Sequence, residues 1–284
     1  MSGPVLVILA AGRARRYGGV KQLAPIGRHG EGVIDLIGAD AINAGFSEFV
    51  IVLNRETGPT IIEHVDAFWP KTHKVSYAYQ ESLRGTVDAV LSAREQVGEG
   101  RAFAVSNADD VYGPEAFNLI SSHLKSSTNC CLVAFELENS LIGDLPVSRG
   151  VCEVADNRLV EVTERRNVTF QPEGFVADDD LEPRLLADDT LVSMNLWGFQ
   201  PTVWPFLQRA VEEHDFALSD EVLLPTFVAN VMDREGFTFD VLPTKTRCIG
   251  VTHAHDLPLA QYLVRREIKN GLRPVYAFGT PPTS

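Results

Sequence analysis

The sequence has few of the features that mark secreted or membrane-spanning proteins. It contains 4 Cys in 284 residues, and Cys130 and Cys131 are adjacent inside an apolar run, which suits neither a disulfide nor a zinc site. We therefore expect reduced core cysteines in a cytoplasmic protein. The apolar run Val5–Ala11 is too short to span a bilayer, and no basic segment precedes it, which argues against a signal peptide.

Positive charge is also scarce, because 25 Lys and Arg stand against 38 Asp and Glu, for a net charge of −13. Such a chain is a poor binder of nucleic acid or of an anionic membrane. Residues 1–30 are the exception, since they hold no acid and five basic residues: Arg13, Arg15, Arg16, Lys21 and Arg28. This segment is predicted to meet an anion, whereas the acidic run at 176–189 is predicted to be a solvated loop.

Short apolar runs alternate with stretches of helical periodicity in the first half of the chain. This rhythm predicts an α/β fold, with a Rossmann-like, mostly parallel sheet flanked by helices. The predicted strands are Val5–Ala10, Glu48–Leu53, Lys74–Tyr79, Ala102–Ser106 and Cys130–Leu137. After about residue 140 the pattern indicates a β-rich lobe with a hairpin around Asp156-Asn157. We expect a single domain over 1–284, with halves 1–137 and 138–284.

The first predicted strand leads directly into a loop rich in Gly, Ala and basic residues. Ligands bind beyond the carboxyl ends of parallel strands, where Gly and Ala let backbone N–H groups approach an anion. Arg16 and Lys21 are suited to neutralise phosphates there. The loop is not a P-loop, because Val20 follows Gly19, and it lacks the dinucleotide fingerprint, which disfavours a nicotinamide-dependent dehydrogenase.

Three later segments place polar side chains at or near predicted strands. Gln80, Gly85 and Thr86 follow the third strand, where Gly-Thr also suits a helix cap. Asp109 and Asp110 end the fourth strand, and an acidic pair there needs a cation or capped backbone. For Asp110 the alternatives are support of its own loop and capping of the helix that begins at 114. Asn195 lies on the strand 190–199, where hydrogen bonding within the fold is the alternative to ligand binding.

The loop resembles the signature of the nucleotidyltransferase superfamily, in its sugar-phosphate nucleotidylyltransferase branch. The matching residues are Leu9-Ala10-Ala11-Gly12, then Arg16 four residues after the glycine, then Lys21. Val20 and Ala14 depart from the common Pro and Gly, and residues 18–22 look closer to cytidylyltransferase and molybdenum-cofactor branches. The resemblance implies a GT-A-like fold with a smaller β-rich acceptor lobe and a single nucleotidyltransferase domain.

The resemblance also implies roles for individual residues. Catalysis would fall to Arg16, Lys21 and Asp109. The nucleotide would be bound by Leu9, Ala10, Ala11, Gly12, Arg13, Gln80, Gly85 and Thr86. The acceptor would be held by Asp110, Gly150, Glu164 and Asn195, while Asp109 and Asn195 would hold Mg²⁺, which prefers oxygen ligands.

These roles describe an Mg²⁺-dependent enzyme that transfers NMP from an NTP to a sugar-1-phosphate, releases pyrophosphate and forms an NDP-sugar. Its partners would be the NTP and a phosphorylated small molecule, with no nucleic acid or membrane, and a homo-oligomer is compatible with this reading. One alternative is a cytidylyl- or other nucleotidyltransferase for a polyol, choline or cofactor phosphate. Another is a non-catalytic nucleotide-sugar sensor on the same fold.

Overall fold

The structure is a computed structural model that describes residues 3–12, 19–251 and 254–279. Its strands are β1 (Val5–Leu9), β2 (Glu48–Leu53), β3 (Lys74–Tyr79), β4 (Phe103–Asn107), β5 (Asp110–Val111), β6 (Cys130–Glu136), β7 (Val147–Ala155), β8 (Arg158–Gln171), β9 (Gly174–Val176), β10 (Leu185–Leu186), β11 (Leu191–Phe199), β12 (Phe239–Thr244) and β13 (Ile249–Gly250). Its helices are α1 (Val33–Asn43), α2 (Gly58–Phe68), α3 (Thr86–Ser92), α4 (Arg94–Val97), α5 (Pro114–Ser126), α6 (Trp204–Glu212), α7 (Leu224–Glu235) and α8 (Leu257–Lys269). None of the helices in these ranges is long and apolar enough to cross a membrane.

The described residues form an 11-stranded mixed sheet in the order β10-β9-β8-β12-β6-β11-β4-β1-β2-β3, with β7 paired to β11 and β8. Strands β1 to β4 run parallel to one another, as the strand–helix alternation predicted. Strand β11 lies antiparallel between β4 and β6, and the pairs that involve β7, β8, β9 and β10 are antiparallel as well. Helix α7 and strand β12 were not predicted, and β12 joins the sheet parallel to β6.

Each face of the sheet carries its own hydrophobic core, because successive side chains of a strand point to opposite faces. In β1, Leu6 and Ile8 pack with residues of α1, α2 and α5. Val5 and Val7 pack on the other face with residues of α3, α6 and α7. The strand is therefore buried on both sides, which explains why it is a continuous apolar run.

The hairpin predicted around Asp156-Asn157 is present and joins β7 to β8. Both residues have left-handed φ angles, 50° for Asp156 and 60° for Asn157. Positive φ at both central residues is the requirement of a two-residue type I′ turn, which Asp and Asn tolerate. The hairpin is longer than predicted, since β7 begins at Val147 and β8 continues to Gln171.

The prediction of a solvated loop at 176–189 is wrong for Asp179. Its carboxylate accepts hydrogen bonds from Arg165 Nε (2.8 Å) and Nη2 (3.0 Å), and from the Arg166 backbone N–H (2.8 Å). Both side chains of the pair are buried, with 4% of Arg165 and 3% of Asp179 exposed. These hydrogen bonds hold the pKa of Asp179 well below its usual range. A two-pronged charged contact offsets the cost of burying both ions, which charge counting along the sequence cannot reveal.

The four cysteines are buried and unpaired, as predicted. Burial raises the pKa of the Cys130 thiol to about 11 and that of Cys152 to about 12. Thiols with such pKa values stay protonated near neutral pH and act as small apolar core residues.

Candidate active site

The predicted nucleotide-binding residues 9–12 leave the sheet at the carboxyl end of β1. Ala10 donates its backbone N–H to the Val52 carbonyl (2.8 Å), while Asn54 Nδ2 donates to the Ala11 carbonyl (2.8 Å). Among the residues that the structure describes, none has an atom within 4 Å of a Cβ added at Gly12. The backbone is thus fixed up to residue 11, and at Gly12 the described part of the chain leaves room for a ligand to approach it.

Of the basic residues assigned to this loop, Lys21 lies within the described part of the chain, whereas Arg13 and Arg16 lie outside it. Lys21 begins a short 3₁₀ turn, Lys21–Leu23. Its ammonium contacts the Asp109 carboxylate, and 21% of the lysine and 25% of the aspartate side chain are exposed. The fold therefore joins two of the predicted catalytic residues across 88 positions of sequence.

The acidic pair follows β4 and is held by neighbouring backbone and side chains. Asn107 Nδ2 donates to Asp110 Oδ2 (2.9 Å). Burial, and next the charge of Asp109, raises the pKa of Asp110 to about 6. Asp110 does not cap the following helix, because the N-cap residue of α5 is Gly113 and has no side-chain cap. The alternative that Asp110 caps this helix is therefore wrong. Its carboxylate instead accepts the hydrogen bond from Asn107 at the end of β4.

The residue opposite Asp110 is a glycine, and a side chain there would displace the Asp110 carboxylate. In the small β5–β13 pair, Gly250 is the register partner of Asp110. A Cβ at residue 250 would lie 2.6 Å from Asp110 Oδ1, a distance that real contacts essentially never show. No local pattern marks this position, because the contact depends on the pairing of β5 with β13, about 140 residues further along the chain.

Tyr112 connects the end of β4 to β11. Its Oη accepts a hydrogen bond from the Asn107 backbone N–H and donates one to the Met194 carbonyl, both at 2.9 Å. The side chain is fully buried. Burial raises the pKa of Tyr112 well above its usual value, so the hydroxyl keeps its proton for the second bond. This bond reaches the residue that precedes Asn195.

Asn195 sits in an irregular part of β11. Its φ angle is 60°, in the left-handed region, and the register with β6 shifts between Ser193 and Trp197. Trp197 Nε1 donates to Asn195 Oδ1 (3.2 Å). Asn is one of the few residues that tolerate this conformation. Such a bulge changes the direction in which a side chain leaves the strand, and bulges are frequent next to functional sites.

A cavity of about 520 Å³ brings together five of the predicted residues: Asp109, Asp110, Gly150, Glu164 and Asn195. Gly150 lies between Glu164 on β8 and Ser193 on β11, its register partners. A Cβ at residue 150 would come within 3.0 Å of Val162 Cγ1. The predicted acceptor and metal residues therefore face one space, although they come from four different strands or strand ends.

Gln80 is placed differently, because it does not line this cavity. Its amide nitrogen donates to the Gly85 carbonyl and to Asp88 Oδ2, both at 2.9 Å. The side chain is buried. Both amide hydrogens are thus used within the loop, and the amide oxygen is the part of Gln80 left for another partner.

Gly85 and Thr86 also make contacts within the fold. Gly85 has φ 96°, and a Cβ there would lie 2.4 Å from the Val222 carbonyl oxygen. Thr86 Oγ1 accepts a hydrogen bond from the Leu224 backbone N–H (2.8 Å). These two residues dock the loop after β3 against the start of α7.

Arg149 is a residue that the sequence reading passed over, although it precedes Gly150 in a segment already singled out. It lines the cavity beside the acidic pair. Burial lowers the pKa of its guanidinium, and the nearby Asp110 charge partly opposes that shift. A basic residue directly before a candidate acceptor glycine was the available signal.

The parts of the chain that the structure describes contain no group of three or more His, Cys, Asp or Glu side chains able to hold a metal ion. A metal held mainly by protein ligands, such as structural zinc, is therefore not built from those residues. A site with one or two protein oxygens, completed by substrate phosphates, needs no such cluster.

The sequence matches the model of the MobA-like NTP transferase domain over residues 6–173. The match covers more than half of the chain, which belongs to this family and is a nucleotidyltransferase, as the N-terminal loop implied. No curated protein sequence matches the chain.

Solved structures share the fold over nearly the whole chain. An inositol-1-phosphate CTP transferase from T. maritima has a TM-score of 0.68 at 14% identity, covering 95% of this chain and 98% of its own. A putative glucose-1-phosphate thymidylyltransferase from Bacillus anthracis has a TM-score of 0.68 at 13% identity, covering 92% of this chain and 94% of its own. A UDP-glucose pyrophosphorylase complexed with UDP-glucose has a TM-score of 0.64 at 17% identity, covering 94% and 100%. The GT-A-like nucleotidyltransferase fold expected from the sequence is confirmed.

Proposed function

We propose that the chain transfers NMP from an NTP to a sugar-1-phosphate, releasing pyrophosphate and forming an NDP-sugar. The observation that carries this proposal is the contact of Lys21, from the basic N-terminal segment, with Asp109 of the acceptor cavity. It joins a cation suited to phosphate with a carboxylate suited to a divalent ion. Asp110, Glu164 and the Gly150 backbone would bind the hydroxyl groups of the acceptor.

The chemistry requires positioning and charge neutralisation rather than a general base. An oxygen of the acceptor phosphate attacks the α-phosphorus in line, and pyrophosphate leaves. The attacking oxygen is already anionic, so the protein need not remove a proton from it. Arg16 and Lys21 would stabilise the leaving pyrophosphate and the charge that develops on the α-phosphoryl group, while Arg13 would steer the NTP.

Mg²⁺ fits the donor set of the cavity. Asp109 offers a carboxylate and Asn195 an amide oxygen, both lining the same space. Mg²⁺ commonly binds one or two carboxylates together with substrate phosphates. When bound, it would neutralise phosphate charge during the transfer.

The nucleotide would lie over the backbone of Ala10, Ala11 and Gly12. Gln80, Gly85 and Thr86 would hold the loop that faces the base, with the Gln80 amide oxygen free to contact it. We further propose that residues 1–284 form one domain. What supports this is that both halves, 1–137 and 138–284, supply strands to the same sheet.

The names of the similar structures support an acceptor of sugar-phosphate type, and they include a polyol phosphate, inositol 1-phosphate. A cytidylyltransferase for a polyol phosphate is therefore the second candidate. A panel of four NTPs, each with glucose 1-phosphate, inositol 1-phosphate and phosphocholine, separates the candidates when pyrophosphate release is measured with and without Mg²⁺. A sensor would bind nucleotide and release no pyrophosphate with any pair.

Two variants test the site itself. Lys21→Met and Asp109→Asn should each lower turnover by roughly 10²–10³, the cost of losing one charged contact to the transition state. Lys245→Met and Asp144→Asn are matched controls at exposed positions, and they should keep turnover within about twofold. Near-normal turnover of the Asp109 variant at limiting Mg²⁺ contradicts the assignment.

A further inference from the structure

Arg149 is held in place by uncharged oxygen atoms. Nε donates to Ser140 Oγ (3.2 Å), Nη2 to the Ser140 carbonyl (2.5 Å) and Nη1 to the Ser148 carbonyl (2.7 Å). None of the carboxylates in the described residues lies within ion-pair distance of this guanidinium, in contrast to Arg165 and its buried aspartate. The positive charge is fixed in position, and within the described part of the chain it has no direct counter-ion.

The cavity around Arg149 is otherwise acidic. Its lining within the described ranges includes four acidic residues, Asp109, Asp110, Glu164 and Asp256, and Arg149 is the basic residue among them. An acceptor that carries a phosphate would be repelled by this lining. Lys21 is already in contact with Asp109, so part of its charge is offset. In addition to the proposed Mg²⁺, a fixed cation inside the cavity would attract the acceptor phosphate.

We propose that Arg149 binds the phosphate group of the acceptor and so selects a phosphorylated acceptor over the free alcohol. This inference rests on the proposed function. The guanidinium has five N–H donors, of which three are used within the fold. One N–H remains on each terminal nitrogen, as many as a two-pronged contact to a phosphate requires. The three bonds to Ser140 and Ser148 hold the group ready for this contact.

A purely structural role would have a different signature. If Arg149 served only to close the turn between Ser140 and Ser148, its loss would lower stability and would affect both substrates alike. A phosphate-binding role changes the acceptor constants and leaves those of the NTP unchanged. Loss of Arg149 therefore raises the KM of the acceptor alone if Arg149 binds phosphate, whereas a structural role predicts equal effects on acceptor and NTP.

The first test uses steady-state pyrophosphate release by Arg149→Met and Arg149→Lys. Arg149→Met should raise the acceptor KM by at least about tenfold, the usual effect of losing charged hydrogen bonds, with the NTP KM within about twofold. Arg149→Lys keeps the charge but loses the two-pronged guanidinium contact, so its acceptor KM should lie between those of the wild type and Arg149→Met. Arg184→Met is the matched control, because 64% of that arginine is exposed in a surface ion pair, and it should leave both KM values unchanged. An unchanged acceptor KM in Arg149→Met overturns the inference while the proposed function stands.

The second test does not depend on turnover. Calorimetry with inorganic phosphate is performed while an α,β-methylene NTP occupies the nucleotide loop, taking each of the four bases in turn. The wild type should bind phosphate, and Arg149→Met should bind it at least about tenfold more weakly, with no change in Arg184→Met. Equal phosphate affinity in wild type and Arg149→Met overturns the inference. A wild type that binds phosphate through Arg149 yet releases no pyrophosphate refutes the proposed function alone.

Discussion

Replacing Tyr112 with Phe tests whether one hydroxyl holds the two halves of the active site in register. The change removes the bonds to the Asn107 N–H and the Met194 carbonyl, each 2.9 Å long. It leaves the ring and its contacts with Phe117 and Phe135, whose centroids lie 5.9 and 6.0 Å away. The variant therefore isolates the hydroxyl from the packing of the side chain.

The expected loss of stability follows from the two backbone groups that would be left without a partner. Each buried, unsatisfied donor or acceptor costs about 1–3 kcal/mol, so the free energy of unfolding should fall by about 2–6 kcal/mol. Urea unfolding should show a lower midpoint with an unchanged slope, because the surface exposed on unfolding is the same. Tyr77→Phe is the matched control, since the Tyr77 hydroxyl bonds to Asp66 near the surface, and it should cost less than about 1 kcal/mol.

The same variant should loosen the relative position of Asp109 and Asn195. We expect kcat to fall by about tenfold and the Mg²⁺ concentration for half-maximal rate to rise, because misplacing charged groups by a fraction of an ångström weakens preorganised contacts. The stability loss by itself would not move the Mg²⁺ requirement of the folded fraction. A Tyr112→Phe protein with the wild-type urea midpoint and Mg²⁺ requirement would refute this reasoning.

Three further perturbations have defined outcomes. Gly85→Ala should lower the free energy of unfolding by about 2 kcal/mol or more in urea titrations, because φ is 96° and the new Cβ would lie 2.4 Å from the Val222 carbonyl oxygen; an unchanged midpoint would contradict the geometry. Asp179→Asn should lower thermal stability at pH 7, and its difference from the wild type should shrink progressively as the pH falls below about 4. The reason is that the lowered pKa of Asp179 lets its ion pair with Arg165 stabilise the fold fully above about pH 4, and acidification removes this stabilisation. A stability difference between variant and wild type that does not depend on pH would exclude the ion pair as its cause. Gly250→Ala should reduce turnover more than it reduces stability, because its Cβ would lie 2.6 Å from Asp110 Oδ1 and would displace that carboxylate. Melting curves and pyrophosphate release of the variant are compared with those of the wild type. Full turnover would show that the Asp110 carboxylate is not needed in its present position.

Local features of the sequence were sufficient for much of the fold. The buried strands β1, β2, β4 and β6 lie within one residue of their predicted bounds, because continuous apolar runs between turn residues mark strands covered on both faces. The turn at Asp156-Asn157 was also predictable from local sequence, because two adjacent residues that tolerate positive φ define it. The loop Leu9–Gly12 with Lys21 indicated the family, because a short motif of fixed spacing can be read directly from the sequence.

Contacts between distant parts of the chain decided the rest. The antiparallel position of β11 between β4 and β6 sets Asn195 near Asp109, and strand order is not encoded by the periodicity of any one strand. The burial of Asp179 required its arginine partner from another strand, while the acidic run alone indicated solvent. The cavity, its acidic lining and the place of Arg149 within it likewise exist only once four separate segments converge. The sequence by itself determined which elements form and which chemistry they suit, because those depend on neighbouring residues. The tertiary structure decided which side chains meet, because burial, register and counter-ions depend on residues far apart in the chain.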